Sequence, residues 1–526
     1  MPLRLREIPL VLDEDESVLP LRIAELLVLP VESILDWKIV RKGIDARKKP
    51  NVLRVYTVDF TTQNDSDVLA ANSENQKLIE TPLTSAETVF SLHQRPKVLV
   101  VGMGPAGLFA ALRLAKNGAD VTLIERGKPV EERYRDVQSF WNERNFNPES
   151  NIQFGEGGAG TFSDGKLNSR LNNPLMRNVL ETLVQFGAPE EILYQAKPHV
   201  GSDRLRAVLI NFRKQLQKLG VDIRFSTRLT GIETTQGKVV AAQLNDNEQL
   251  PAEQLILAVG HSARDSYQML SEKAVRMEQK AFAIGLRVEH PLELINSIQY
   301  GMPKHPQLPA AEYSLAWNNR KSGRGVYSFC MCPGGMVVNA ASEEGAIVVN
   351  GMSDFKRDAQ RSNSALVVAV RSDDFGATDP LAGVRFQRRW EQQAFTAGGG
   401  NWSAPAQPLL EFLQGNGGRI NSSCQPQVVA ADLNACLPKF VTDELRLALP
   451  QFERKMRGFI CEEATLIGVE TRTSAPLRIL RNADCESVSH AGLFPAGEGA
   501  GYAGGIMSAA VDGLKVADSI LGRYSK

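Results

Sequence analysis

The segment Lys97–Arg126 constrains this chain most. It opens Lys97-Val-Leu-Val-Val-Gly-Met-Gly-Pro-Ala-Gly107 and closes Gly118-Ala-Asp-Val-Thr-Leu-Ile-Glu-Arg126. Val98–Val101 is the unbroken apolar run of a buried parallel strand. Gly102 permits a tight turn, Gly104 lets backbone approach a pyrophosphate, and Gly107 lets helix and sheet pack closely. Pro105 suits a first helical position, where its missing N–H removes no helical bond. The helix start at Pro105 and Ala106 aims free N–H groups and the positive dipole end at an anion. Gly118 ends that helix, and Val121–Ile124 forms the next strand. Glu125 then stands where a carboxylate accepts ribose hydroxyls, with Arg126 placed to touch the adenosine. A GxGxxG alone is weak evidence; strand, helix, second strand and acid in register define a dinucleotide-binding βαβ unit.

Two further segments narrow the ligand. Gly492-Leu-Phe-Pro-Ala-Gly-Glu-Gly-Ala-Gly-Tyr-Ala-Gly-Gly505-Ile-Met-Ser runs from a short strand through glycine and acid into a helix. It resembles the second FAD motif of the glutathione-reductase-like flavoproteins. That resemblance implies that Gly497 and Glu498 meet the ribityl chain, although Asp is commoner at the acid. It also implies that the helix from Gly505 and Ile506 points at the flavin pyrimidine edge, where its dipole favours negative charge on reduced flavin. Leu255-Ile-Leu-Ala-Val-Gly260-His-Ser-Ala-Arg264 is similar to the strand end that closes over FAD in the same superfamily, with Val259 in the usual Thr place. A backbone amide at Leu229 is the matching candidate for the adenine. Glu125 agrees with this, since an acid there suits FAD or NAD and NADP prefers a basic residue.

A third glycine-rich run, Phe154-Gly-Glu-Gly-Gly-Ala-Gly-Thr-Phe-Ser-Asp-Gly-Lys166, follows no clear strand. Dense glycine permits close backbone approach. Its position implies a loop past the isoalloxazine, with Gly158, Gly160, Thr161, Ser163, Asp164 and Lys166 directed at flavin or substrate. The alternative is a plain surface loop. The order of motifs resembles the bacterial flavoproteins labelled NAD(FAD)-utilising or FAD-dependent dehydrogenases. The matching phrases are Gly158–Lys166, Tyr327-Ser-Phe-Cys-Met-Cys-Pro-Gly-Gly335, Gly468-Val-Glu-Thr-Arg-Thr-Ser-Ala-Pro476 and the C-terminal run. The resemblance spans nearly the whole chain. It implies noncovalent FAD and dehydrogenase chemistry on a small-molecule substrate it does not name. No second complete βαβ fingerprint is present to hold a nicotinamide, so NAD(P)H enters as a candidate transient donor docking in the cap.

Catalytic residues are not fixed by sequence. Asp164, Lys166, Arg472, Cys330 and Cys332 are the candidates. Cys330 and Cys332 are either structural thiols or a redox or substrate-contacting pair; two apart on a strand, they would share a face. Arg472 either binds an acidic substrate or supports reduced flavin, or else sits in a structural ion pair. His261 is either a proton donor or a satisfied loop residue. The six cysteines lack spaced histidine partners, so no metal site is expected.

The expected architecture is α/β. A Rossmann-like FAD-binding domain, 96–280 and 456–526, is interrupted by a β-rich α+β cap, 281–455. A small N-terminal α/β module, 1–95, reads strand, helix, strand, helix, strand, an order that a ferredoxin-like arrangement fits, and the chain shows no internal repeat. The polar stretch Thr61–Asn75 reads as a loop. Lys+Arg and Asp+Glu balance at 60 each, so no global charge draws the protein to nucleic acid or to an anionic membrane. No apolar run reaches the about 18 residues of a membrane span. Six cysteines in 526 residues make no disulfide scaffold, and the cytoplasm is the expected compartment. Two rival readings remain. The basic segment Arg41–Lys49 would serve an RNA-modifying flavoprotein, or the N-terminal module would serve a flavin-bound sensor or scaffold.

Overall fold

The computed structural model describes residues 2–82, 88–169 and 173–525. Its centre is a parallel five-stranded sheet in the order Leu493–Pro495, Gln254–Leu257, Lys97–Val101, Asp120–Ile124 and Asp222–Arg224. Both faces of a parallel sheet are covered, which is why its strands are apolar throughout. Helix Pro105–Lys116 is buried from Ala106 to Ala115 because it lies between this sheet and helix Ile506–Arg523. The two helices approach so closely that a Cβ on Gly513 would lie 2.1 Å from the Ala106 carbonyl oxygen. Helix Ser202–Lys218 buries Leu205, Val208, Leu209, Phe212 and Leu216, one face at helical spacing. An antiparallel sheet of Leu229–Thr235, Lys238–Leu244 and Glu248–Pro251 follows.

The cap is a seven-stranded sheet in the order Ala316–Asn319, Arg324–Cys332, Arg361–Val370, Phe282–Pro291, Thr465–Glu470, Ala404–Pro408 and Val428–Ala430. Strand Thr465–Glu470 pairs with Phe282–Pro291 and with Ala404–Pro408. The cap sheet therefore takes in chain beyond residue 455. Helices Leu292–Tyr300, Ala382–Ala397 and Lys439–Lys455 pack against it around a core that includes Leu286, Leu366, Leu445 and Phe459.

The N-terminal module holds one strand more than its sequence suggests. The order is strand Leu3–Val11, helix Leu19–Leu27, strands Asp36–Asp45 and Leu53–Thr61, helix Asp65–Ala71 and strand Leu78–Glu80. The first half of the basic segment completes a strand that pairs antiparallel with Leu53–Thr61. The stretch Thr61–Asn75, expected as a loop, contains a helix. There Asp65 accepts from the Thr62 N–H at 2.6 Å, and Asp65 and Asp67 place negative charge in the first turn, where the helix dipole favours it. The module docks through its edge strand: Lys42 N donates to Tyr194 O at 2.7 Å and Ala196 N to Lys42 O at 2.8 Å. Among the described residues no helix is long and apolar enough to cross a membrane.

Candidate functional site

The three glycine-rich segments converge. Strand Lys97–Val101 ends in Gly102, whose φ of 98° lies in the left-handed region that favours glycine. A Cβ there would lie 2.4 Å from the Ala258 carbonyl oxygen on the neighbouring strand end. The loop after Phe154 folds back over this turn, with Gly157 N donating to Met103 O at 2.8 Å. A Cβ on Gly158 would sit 3.1 Å from Gly104 Cα, and one on Gly160 would sit 3.1 Å from Ile506 Cγ1. The loop thus touches both the first turn and the start of the C-terminal helix. Between them and the cap opens a cleft whose empty space, open solvent at its mouth included, is about 1550 Å³.

Most of the residues singled out by sequence border this cleft. Gly102, Gly104, Pro105 and Ala106 line it beside Glu125 and Arg126; Leu229 and Gly260 line the same end. Gly497, Glu498, Gly505 and Ile506 line it farther along with Gly158, Gly160, Asp164 and Lys166. Gly107 does not face it: a Cβ there would lie 1.9 Å from Gly102 O, so this glycine serves helix–strand packing. Thr161, expected at the flavin, turns away. Its hydroxyl donates to Glu156 O at 3.1 Å and accepts from Arg133 at 3.2 Å. Cys330 and Arg472 line the cleft, whereas Cys332 is buried behind it.

Sequence reading missed Arg133. This fully buried guanidinium donates to the carbonyls of Asn151 at 2.8 Å, Ile152 at 2.9 Å and Glu156 at 2.6 Å, tying down the glycine-rich loop. Burial lowers it to about 10. An arginine in an ordinary helical pattern carries no local signal of that role.

The site accepts FAD on its own geometry. A Cβ on Gly260, Gly504 or Gly505 would meet nothing within 4 Å, so the backbone there borders open space. The Glu125 carboxylate accepts from the amides of Met103 (2.8 Å), Gly127 (2.9 Å) and Gly155 (3.0 Å). A carboxylate has about four lone-pair sites, which leaves room for a ribose hydroxyl. Arg126 lies 4.1 Å over the Phe154 ring and pairs with Glu149 at 2.8 Å and Asp265 at 2.9 Å.

The opposite wall is electrostatic. Asp164 is buried and paired with both Arg357 and Lys166. Burial opposes its charge, but Lys166 and Arg357 outweigh that and hold it well below the usual carboxylate range. Glu312 joins them, 2.9 Å from Arg357 and 3.3 Å from Lys197. Deeper in, Glu391 is fully buried between Arg264 and Arg472, at 2.7 Å from each. Arg472 also donates to Ser262 Oγ at 3.0 Å and Ser342 Oγ at 2.6 Å. Its charge is therefore held in an ion pair even where it borders the cleft. Burial, with Arg472 and Arg264 nearby, pushes His261 down to about 4, so its ring is neutral near pH 7. Burial pushes Glu498 up to about 7. The basic N-terminal segment is engaged internally: Lys42 with Glu16 (2.5 Å), Arg47 with Asp45 (2.6 Å), and Lys49 with Ile298 O (2.5 Å).

Residues 96–266 match the model of the pyridine nucleotide-disulphide oxidoreductases, and residues 281–473 match that of the FAD-dependent protein C-terminal domain-like family. Residues 3–61 match a domain of unknown function. With the cleft just described, these matches define a flavoprotein of the oxidoreductase class, with FAD as its cofactor. The chain is 44% identical over 531 residues to an uncharacterised protein of Clostridium beijerinckii, covering 100% of this chain and 99% of that one. It belongs to the same family as that clostridial protein. Among solved structures, glycine oxidase from Bacillus cereus is 12% identical, with 82% of this chain and 98% of that one covered and a TM-score of 0.34. L-proline dehydrogenase from P. horikoshii is 13% identical, with 82% and 95% covered and a TM-score of 0.31. Likenesses this slight carry no functional weight.

Proposed function

We propose that this protein is an FAD-dependent dehydrogenase acting on a small molecule or on NAD(P)H. One observation carries the reading: a single cleft joins the glycine-built cradle to a wall bearing Lys166, Cys330 and Glu498. When bound, FAD supplies two-electron hydride chemistry at its flavin ring, and the protein supplies position, electrostatics and access. Glu125 would hold the ribose, and the helix start at Pro105 would bind the pyrophosphate. Gly497 and Glu498 would hold the ribityl chain, and the helix start at Ile506 would offer its positive dipole end to the flavin. The cap excludes water from the far side and selects the substrate. Burial works against the charge of Lys166, but Asp164 together with its other neighbours, Glu312 among them, outweighs that and holds it charged, and it orients an anionic or carbonyl group of that substrate. The reading keeps the protein in the cytoplasm, acting without nucleic acid or a membrane; three cations of the basic N-terminal segment already have internal partners.

Anaerobic visible spectroscopy tests it. A yellow protein bleached by NADH or NADPH establishes a nicotinamide-linked flavoenzyme. Bleaching only by an organic substrate places the donor there instead. A yellow protein that no donor reduces sinks the dehydrogenase reading.

A further inference from the structure

A second cavity lies beside the glycine-rich loop. Its empty space, open solvent included, is about 810 Å³. Helix Val130–Glu143 turns one face to it, with Tyr134, Gln138 and Trp141 at helical spacing. Ser202 and Arg206, one turn apart on helix Ser202–Lys218, line it too. The cap contributes a two-stranded ribbon, Met336–Asn339 with Val349–Met352. Met336 and Met352 are directly paired on that ribbon, and both line the cavity. Phe162 lines it as well and is the last residue of the turn Gly158–Phe162, whose Gly158 and Gly160 border the FAD cleft. Among the described residues none lines both the cavity and the cleft.

The walls are braced by main chain. Ser202 N donates to Ser353 O at 3.1 Å, and Phe355 N donates to Asp203 Oδ1 at 2.8 Å. Gln425 N donates to Val337 O at 3.0 Å, and Asn339 N donates to Gln425 O at 2.8 Å, which fixes the ribbon. Val338 and Val348 of the ribbon share an apolar cluster with Val137, Ile152 and Phe162. The apolar part of the lining pairs Trp141 edge to face with Phe162, 6.5 Å between ring centres. The two methionines add flexible thioethers that mould to ligands of differing shape. The polar part carries one charge of each sign. Arg206 lies over the Tyr134 ring at 4.2 Å, and Asp354 accepts from Ser202 Oγ at 2.9 Å. Among the described residues neither forms an ion pair, with the other or with a third group.

Opposite charges left apart beside an apolar lining match a ligand that carries both. The geometry points to a binding site for a free α-amino acid with an apolar side chain, separate from the flavin cleft. Arg206 receives the carboxylate, whose two oxygens fit the guanidinium fork. Asp354 receives the ammonium group; its bond to Ser202 holds it at the helix turn that precedes Arg206. The side chain of the ligand lies among Trp141, Phe162, Met336 and Met352. A neutral aromatic ligand leaves both charges unused, and an anion without an ammonium group leaves Asp354 to oppose it. The bound amino acid touches the FAD-binding domain and the cap at once.

The test titrates the full chain with its FAD by calorimetry. The probes are L-phenylalanine and L-leucine, with 3-phenylpropionate and phenethylamine, each of which lacks one of the two charges. One saturable site for the amino acids is expected. Each single-charge analogue should bind about tenfold more weakly than L-phenylalanine, the scale of one hydrogen bond to a charged group. R206Q should weaken L-phenylalanine about tenfold and leave phenethylamine unchanged. D354N should weaken L-phenylalanine by about the same factor and leave 3-phenylpropionate unchanged. Neither residue borders the flavin cleft, so the ratio of flavin to protein absorbance should stay at the wild-type value in both variants. Absence of saturable binding of either amino acid up to about 10 mM, a ligand worth under about 3 kcal/mol, overturns the proposal. So do analogues that bind the wild type as tightly as L-phenylalanine does. Wild-type affinity for L-phenylalanine in both variants also overturns it, by placing the amino acid elsewhere in the molecule.

Discussion

On the sheet side of the cleft, the contacts offered to a cofactor are mostly backbone. Gly102, Gly104, Gly158 and Gly505 let main chain approach main chain, and two helix starts supply oriented amides. On the cap side they are side chains. Asp164, Glu391 and Glu470 are buried, and each neutralises one or two buried cations. A backbone wall fails by overcrowding, because one added carbon meets another chain. A charged wall fails by subtraction, because removing one partner leaves an ion buried without compensation. The same cleft thus answers to two kinds of mutation.

The largest effect is expected on the charged wall. Glu391→Ala leaves Arg472 without its carboxylate partner and Arg264 with Glu343 alone, and should cost about 3–5 kcal/mol of stability, read as a fall in the urea midpoint. A loss under about 1 kcal/mol would mean that the cap wall is not held by charge. Next comes the backbone wall. Gly104→Trp should fill the pyrophosphate approach and weaken FAD binding on the order of 100-fold, or about 3 kcal/mol. The ratio of flavin absorbance to protein absorbance reports this, and normal flavin content would break the contrast between the walls. Gly107→Ala sharpens it from outside the cleft. Its Cβ would fall 1.9 Å from Gly102 O. The thermal midpoint should drop by an amount corresponding to about 1–3 kcal/mol, the usual cost of overpacking.

The smallest effect concerns a carboxyl between the walls. Burial raises Glu498 from 4.5 to about 7. A raised carboxyl contributes its full share of stability below its unfolded pKa and loses it as pH rises through its folded pKa. The FAD-free protein should therefore lose this share between about pH 4.5 and 7. Glu498→Gln stays neutral, so its stability relative to the wild type should rise from pH 5 to pH 8, measured by urea titration at both. An unchanged difference at the two pH values would show that Glu498 is solvated like an ordinary surface carboxylate.

The backbone wall was legible in the sequence because its parts are local. Strand, turn, helix and acid of the βαβ unit fall within thirty consecutive residues, and each glycine follows from a short-range steric need. The charged wall was not legible. Asp164 and Arg357 lie 193 residues apart, and Arg287 and Glu470 lie 183 apart. No spacing rule links them. Arg472 and Thr161 were visible as candidates, but their engagement by Glu391 and by Arg133 was not, because side-chain direction depends on what packs opposite. The helix Asp65–Ala71 was hidden for a related reason: a short polar helix has no apolar stripe to announce it.

By itself, then, the sequence determined the nucleotide-binding unit, the class of cofactor and the presence of an inserted domain, because local sterics and helix-end electrostatics act over a few residues. Only the tertiary structure decided which charges face the cleft, that the cap sheet extends to Glu470, and that the strand Arg324–Cys332 shifts register between Phe329 and Cys332. Those outcomes depend on pairings between distant strands, and burial makes such pairings strong only once the chain has closed around them.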